Sequence, residues 1–309
     1  MRVVFMGTPD FSVPTLQAMI DHHDVIAVVT QPDKPKGRGK QMVFSPVKEK
    51  ALEYQIPVYQ PVKAREPEFV QILKELNPDV IVVVAFGQIL SKEILEIPKY
   101  GCINGHASIL PMYRGAGPIQ WVVINGETET GITTMKMDEG LDTGDMIEIT
   151  RIPIDAKETG GSLFDKLKDL SGTLMISTLE KLENGTAVFT PQGDGKTCYA
   201  PMLNKKMGNI DFTKSAKEIE CLIRGLNPWP SAYTKWNGKS LKIWDADVEN
   251  RNADDEPGTI IDVTKTAIVV QTGDGALALK EIQLAGKKRV KTDAFLLGYK
   301  VHVGEKLGE

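Results

Sequence analysis

Cysteine is scarce in this chain of 309 residues: there are three, Cys102, Cys198 and Cys221. An odd, scattered set without ligand spacing argues against a disulfide framework and leads to the expectation of a reducing, cytoplasmic setting. Histidine is equally sparse, at His22, His23, His106 and His302, and no Cys/His/carboxylate cluster stands out, so no metal is expected. The adjacent pair His22-His23 does not share a helix face and suits a helix C-terminus better than a metal. Long apolar runs are missing as well. Val80-Ile81-Val82-Val83-Val84-Ala85-Phe86 falls far short of the ~20 residues of a membrane span, so no membrane partner is expected. The opening Met1-Arg2-Val3-Val4-Phe5-Met6-Gly7 breaks at Gly7-Thr8-Pro9 and reads as a first core strand, not a cleavable leader. With 37 basic against 41 acidic residues the net charge is −4, which gives no global attraction to nucleic acid. Contact with a polyanion must come from local clusters.

Two kinds of chemistry are excluded by what is lacking. No serine or cysteine sits in a recognisable nucleophile context. Gly7-Thr8-Pro9-Asp10-Phe11 has no dinucleotide glycine spacing and Pro9 removes a backbone donor, which excludes a nucleotide cofactor and an oxidoreductase. Gly195-Lys196-Thr197 looks like the end of a phosphate loop, but Thr190 stands where its first glycine belongs.

The length predicts two domains. The first half alternates strands (Arg2–Met6, Val25–Thr30, Val80–Phe86, Cys102–Asn104, Ile132–Met137, Met146–Ile152) with helices (Phe11–Asp21, Pro46–Tyr54, Pro118–Ile124, Ser162–Leu182). Such alternation predicts an open, mostly parallel, Rossmann-like α/β sheet. The unbroken Val/Ile run at Val80–Phe86 marks a strand covered on both faces. From Glu183 to about Asn204 no period is visible, which places a linker at 190–205 between a catalytic domain, 1–189, and a second domain, 206–309. The latter reads as one helix, Ser215–Leu226, and short strands around Ala232–Trp236, Leu241–Val248, Gly258–Val263, Ala267–Gln271 and Ala276–Gln283. Short strands at this spacing predict a small, OB-like β-barrel.

Asn104 and His106 close one apolar strand, and Met137-Asp138-Glu139-Gly140-Leu141-Asp142-Thr143-Gly144 follows another. In an open α/β sheet ligands bind beyond the carboxyl ends of the strands, where both segments are expected to fall. An amide, an imidazole and a carboxylate, without a protein nucleophile, suit acyl transfer to a substrate that brings its own amine. Asp138, Asp142 and Asp145 compete for the carboxylate role, since Asp-Glu-Gly and Asp-Thr-Gly are ordinary turn compositions. The residues themselves do not choose among the three. Lys34, Lys36, Arg38, Lys40 and Lys48 crowd a glycine-bearing segment, and Lys287-Lys288-Arg289-Val290-Lys291 is a second basic cluster. Each is either a solvated loop or a phosphate contact.

Asn104-Gly105-His106-Ala107-Ser108-Ile109-Leu110-Pro111, Tyr113-Arg114-Gly115 and Met137–Gly144 together resemble the folate-dependent formyltransferases. Gly7–Phe11, Gln31-Pro32-Asp33, Gly37–Lys40, Ser45–Lys48, Asn227-Pro228-Trp229-Pro230 and Ala285–Lys288 narrow the likeness to the branch that formylates methionyl initiator tRNA, and it runs over essentially the whole chain. The resemblance implies that Asn104, His106 and Asp142 are the catalytic trio and that 10-formyltetrahydrofolate is the formyl donor. It implies that Ser108, Ile109, Leu110 and Pro111, with Phe86, Gly87, Gln88, Ile89 and Leu90, form the folate site. Arg38, with Lys36 and Lys40, would meet the acceptor end of the tRNA, and Lys287 and Lys288 would hold it from the second domain. A monomer is expected. Two positions depart from the family, which usually has a β-branched residue where Gly105 stands and leucine where Ile109 stands. Rival acceptors are another amine, such as a sugar nucleotide or purine precursor, or water. A non-catalytic RNA-binding protein is disfavoured by the absence of an interleaved aromatic surface.

Overall fold

The computed structural model describes residues 1–36, 41–193, 197–251 and 253–308, with Lys36 and Gln41 described by backbone alone. The chain forms two compact units. One comprises residues 1–115, 129–153 and 164–200, the other 116–128, 154–163 and 201–309.

The first unit is built on β1 (Arg2–Gly7), β2 (Asp24–Val29), a small hairpin of β3 (Lys34–Lys36) and β4 (Gln41–Val43), β5 (Val58–Tyr59), β6 (Val80–Val84), β7 (Cys102–His106), β8 (Glu129–Lys136) and β9 (Met146–Pro153). Seven of these make one sheet in the order β5-β2-β1-β6-β7-β8-β9, parallel from β5 through β7 and antiparallel at β8 and β9. This is the mostly parallel α/β sheet expected. Helices α1 (Val13–His22), α2 (Pro46–Glu53), α3 (Pro67–Leu76) and α4 (Lys92–Leu95) accompany the parallel strands; next in the chain come α5 (Pro118–Ile124), which belongs to the second unit, and α6 (Gly160–Glu183), most of which belongs to the first. All five residues of β6 are buried, as a Val/Ile run covered on both faces requires. The strand order reverses between β1 and β6, and that reversal opens a crevice at the carboxyl ends of the strands. Packing around β1 is close there: a Cβ on Gly7 would stand 2.8 Å from the Phe5 ring and from Ser12 Cβ and 2.9 Å from the Val84 carbonyl.

One placement differs from the sequence expectation. Because β8 runs antiparallel to β7, pairing Ile103 with Lys136 and His106 with Thr133, its carboxyl end lies beside the amino end of β7. The 137–145 connection therefore starts about 10 Å from His106, at ~3.3 Å per strand residue, and must curl back toward it.

The second unit contains α5, α7 (Ala216–Gly225), β10 (Ala232–Trp236), β11 (Lys239–Glu249), β12 (Ile260–Val263), β13 (Ile268–Gln271), β14 (Ala276–Leu284), β15 (Val290–Lys291) and α8 (Thr292–Gly298). Its strands pair antiparallel in the order β10-β11-β14-β13-β12, with β15 added to β14, a second, antiparallel sheet of short strands as expected of the second half. Ser215 and Glu218 form a reciprocal capping box that starts α7. The core between sheet and helices gathers Ile219, Ile223, Leu241, Leu277 and Leu279, closed by the edge-on and stacked rings of Trp236, Phe295 and Tyr299. No helix among the described residues is long and apolar enough to cross a membrane.

Candidate active site

The site is set by the two-residue period of β7. Asn104 and His106 point to one face, and Gly105 between them points to the other. On that other face a Cβ at Gly105 would meet Ser171 Oγ at 3.1 Å, Met175 Cε at 3.4 Å and Val84 Cγ2 at 3.5 Å. A larger residue here would crowd Ser171 and Met175 of α6, which would have to shift to admit it. Gly105 is a packing choice.

On the face they share, Asn104 is only 8% exposed and His106 7%. Among the described residues the Asn104 side-chain amide has no hydrogen-bond partner, so a nearly buried donor is left free for a ligand. His106 is held at both ring nitrogens. Nε2 lies 2.9 Å from the Tyr113 carbonyl, which can only accept, so Nε2 carries a proton. Nδ1 faces Asp142 Oδ2 at 3.7 Å.

Asp142 reaches this position although its loop begins at the far end of β7. The loop folds on itself: Asp138 accepts from the Gly140 amide at 3.0 Å and from the Thr143 hydroxyl at 2.7 Å. Asp138 is thereby consumed as a turn former, and Asp145 is exposed. Of the three competing carboxylates only Asp142 turns to His106, and its Oδ2 also accepts from the Gly115 amide at 2.8 Å. Asp142 (φ 53°) and Tyr113 (φ 61°) both adopt the left-handed conformation that non-glycine residues avoid. Such residues persist where surrounding contacts over-determine them, and here they flank the imidazole.

The segments assigned to a folate site by resemblance are also here. Ala85 (φ 45°) ends β6 and turns the chain into Phe86–Leu90. Phe86 and Leu90 are buried in the core, whereas Ile89 is 80% exposed. The Phe86 carbonyl accepts from Thr8 Oγ1 at 3.1 Å and Gln31 Nε2 at 3.2 Å, and Gln31 Nε2 also donates to the Gly87 carbonyl at 3.1 Å. Gln88 donates to the Pro61 carbonyl at 3.1 Å and accepts from the Ala64 amide at 2.6 Å. Any ligand contact from this strip must come largely from backbone and from Ile89. Ser108 and Leu110 are buried, with the Ser108 hydroxyl given to the Met112 carbonyl at 2.6 Å; Ile109 and Pro111 are partly exposed. Thr8 and Gln31, which the sequence reading did not single out for this strip, are found holding it.

Of the residues assigned to tRNA, Lys287 and Lys288 are exposed on the β14–β15 turn, and Lys36 ends β3. Arg38 and Lys40 lie outside the described residues. Among the described residues no group of three His, Cys, Asp or Glu side chains is placed to hold a metal ion.

Residues 1–179 match the formyl transferase family model and residues 202–300 that of the formyl transferase C-terminal domain. The chain is 58% identical over 305 residues to the methionyl-tRNA formyltransferase of Agathobacter rectalis, covering 98% of both chains. It is 55% identical over 309 residues to that of Clostridioides difficile, covering all of both chains. Among solved structures, an N-formyltransferase from Helicobacter canadensis in complex with folinic acid and dTDP-3-aminofucose aligns with TM-score 0.68 at 20% identity, covering 90% of this chain and 99% of that one.

Proposed function

The chain belongs to the formyl transferase family, and from that premise we propose that it transfers the formyl group of 10-formyltetrahydrofolate to the amino group of methionine on initiator tRNA. The observation that carries the reading is the unpartnered Asn104 amide, 8% exposed, on the same strand face as a histidine facing a carboxylate. Full-length relatives named for methionyl-tRNA support the acceptor. The folinic acid bound by a protein of the same fold supports the donor.

The methionine nitrogen attacks the formyl carbon, the carbon–N10 bond breaks, and one proton leaves the amine while N10 gains one. Asn104 donates a hydrogen bond to the oxygen that becomes anionic as the carbon turns tetrahedral, and His106, once it carries a second proton, stabilises the same oxygen. His106, with Nε2 committed to Tyr113, has Nδ1 and the Asp142 carboxylate left to accept the amine proton, directly or through water, and to return it. Protons are relayed and no covalent enzyme intermediate forms, which accounts for the missing nucleophile. The folate lies along Phe86–Leu90 and Ser108–Pro111, contacting Gly87, Gln88, Ile89, Ile109 and Pro111 by side chain or backbone, with the buried Phe86, Leu90, Ser108 and Leu110 shaping the strip.

Residues 1–189 form the catalytic domain, 190–205 the linker and 206–309 the tRNA-binding domain. Lys36, Arg38 and Lys40 contact the acceptor end of the tRNA, while Lys287 and Lys288 contact its backbone. The enzyme works as a cytoplasmic monomer. The test is incubation with labelled 10-formyltetrahydrofolate and methionyl initiator tRNA, beside controls with water alone and with an amino sugar nucleotide. Label on the methionine of the tRNA supports the reading. Formate release alone, or label only on the sugar, overturns it.

A further inference from the structure

Asp142 sits in a nine-residue connection, 137–145, and is itself in the left-handed conformation, so its carboxylate depends on contacts from outside that loop to stay against His106. We propose that Gln192, with Arg114, is the positioning residue that fixes Asp142 against His106 for formyl transfer. The inference rests on the reading above.

Gln192 is half-buried and directs its strong hydrogen bonds at two loops, with a weak further contact from Nε2 to Met135 Sδ of β8 at 3.9 Å. Its Nε2 donates to the Asp142 carbonyl at 2.8 Å and the Gly144 carbonyl at 2.8 Å. Its Oε1 accepts from Arg114 Nε at 2.9 Å and Nη2 at 2.7 Å. Two donors and two lone pairs are all an amide side chain offers. Rotating the amide by half a turn would set its oxygen against two carbonyls and its NH2 against a guanidinium, so one orientation alone is allowed.

Where this strut lands matters. Arg114 stands between the two residues that hold the site from the opposite side: Tyr113, whose carbonyl accepts from His106 Nε2, and Gly115, whose amide donates to Asp142 Oδ2. The Arg114 backbone is itself fixed, its carbonyl accepting from the Ala200 amide at 2.8 Å. Gln192 thus ties the loop that carries the carboxylate to the loop that orients the imidazole. Each left-handed residue, Tyr113 and Asp142, has one end of the strut attached beside it. The segment bearing Gln192 reaches the site from outside both loops and is pinned by mutual backbone hydrogen bonds between Thr190 and Met146 at 2.8 and 2.9 Å. An interaction that brings two catalytic groups to within a fraction of an ångström of working geometry is a rate effect, with small influence on affinity.

The test compares wild-type enzyme with Gln192→Met, which keeps the length and loses every hydrogen bond, and Gln192→Glu, which keeps the acceptor for Arg114 and loses both donors. Wild-type transfer to methionyl-tRNA is measured first, because failure there overturns the functional reading and not this inference. The expected result is a kcat lowered at least tenfold in Gln192→Met, with KM for folate and tRNA within twofold of wild type and an unchanged melting temperature. Gln192→Glu, a carboxylate beside the Arg114 guanidinium, sets an anion against the Asp142 and Gly144 carbonyls, so its kcat should fall at least as far as that of Gln192→Met, again with KM within twofold of wild type. Wild-type kcat in Gln192→Met, or a loss appearing wholly in KM, would overturn the inference. Should the methionine variant fail to fold, Gln192→Glu decides alone: a kcat within twofold of wild type, or a loss wholly in KM, overturns the inference.

Discussion

Nδ1 of His106 faces Oδ2 of Asp142 across 3.7 Å, while Nε2 of the same ring lies 2.9 Å from the Tyr113 carbonyl. That pair of contacts fixes the tautomer: a proton sits on Nε2, and Nδ1 is the nitrogen free to exchange one under the influence of a carboxylate.

Asp142→Asn tests that division of labour. The asparagine oxygen can still accept from the Gly115 amide, so the loop should hold and the melting temperature should stay within 2 °C, about the shift that ~0.5 kcal/mol gives in a chain of this size. Transfer should fall ~10²-fold or more, the range of general acid–base assistance. Full activity in this variant, measured with saturating folate and tRNA, would remove the carboxylate from the mechanism.

Gly105 is predicted to be intolerant in spite of the family's preference for β-branched residues there. Gly105→Val introduces atoms into a space where even a Cβ comes to 3.1 Å from Ser171 Oγ. Overpacking of this kind costs about 1–3 kcal/mol. Urea denaturation should show that loss, and combining Gly105→Val with Ser171→Ala should recover part of it, since residues in contact couple. Strictly additive effects would place the clash elsewhere.

Glu220 and Arg224 form a buried pair on α7, with Arg224 Nε to Glu220 Oε1 at 2.6 Å and Arg224 Nη1 donating to the Glu158 carbonyl at 2.8 Å. Both side chains are below a tenth exposed. Glu220→Ala leaves a guanidinium buried with its partner gone, so a loss of about 3–5 kcal/mol is expected. Loss below 1 kcal/mol in denaturant melts would mean that solvent reaches the arginine.

His23 gives a pH dependence of known sign. Burial, helped by the nearby N-terminal charge, holds its imidazole below the ordinary value, and its Nε2 has no hydrogen-bond partner among the described residues. The unfolded chain therefore takes up this proton first. The stability tied to neutral His23 is complete above the ordinary histidine range and is lost as the pH falls through the lower folded-state value. His23→Gln should flatten the decline in melting temperature between pH 7 and pH 5; an unchanged slope would contradict this.

Much of the fold is legible in the sequence because periodicity survives packing. The run at Val80–Phe86 is a buried strand ending at Val84, two residues early, because Ala85 takes φ 45° to turn toward Phe86. Helix α5 and strand β10 stand where the pattern puts them. Helix α3 and helix α8 are found where no helix was expected. In α3, Phe69, Val70 and Leu73 carry the helical stripe, but Pro67 and the short length blur its start. The site was only half visible. Asn104 and His106 share a strand, so the two-residue period aligns them. Asp142 joins them through a loop that runs against the expected strand direction, and Gln192 comes from a stretch with no period at all. Contacts of that kind belong to tertiary structure, and local pattern does not encode them.

The most direct test of the central claim is single-turnover formyl transfer by Asn104→Ala, measured beside its equilibrium affinity for a folate donor analogue. If the amide holds the oxygen only as charge develops, the rate falls ~10²–10³-fold while folate affinity stays within a few fold of wild type. Equal losses in rate and affinity would make Asn104 a ground-state binding residue and contradict the account.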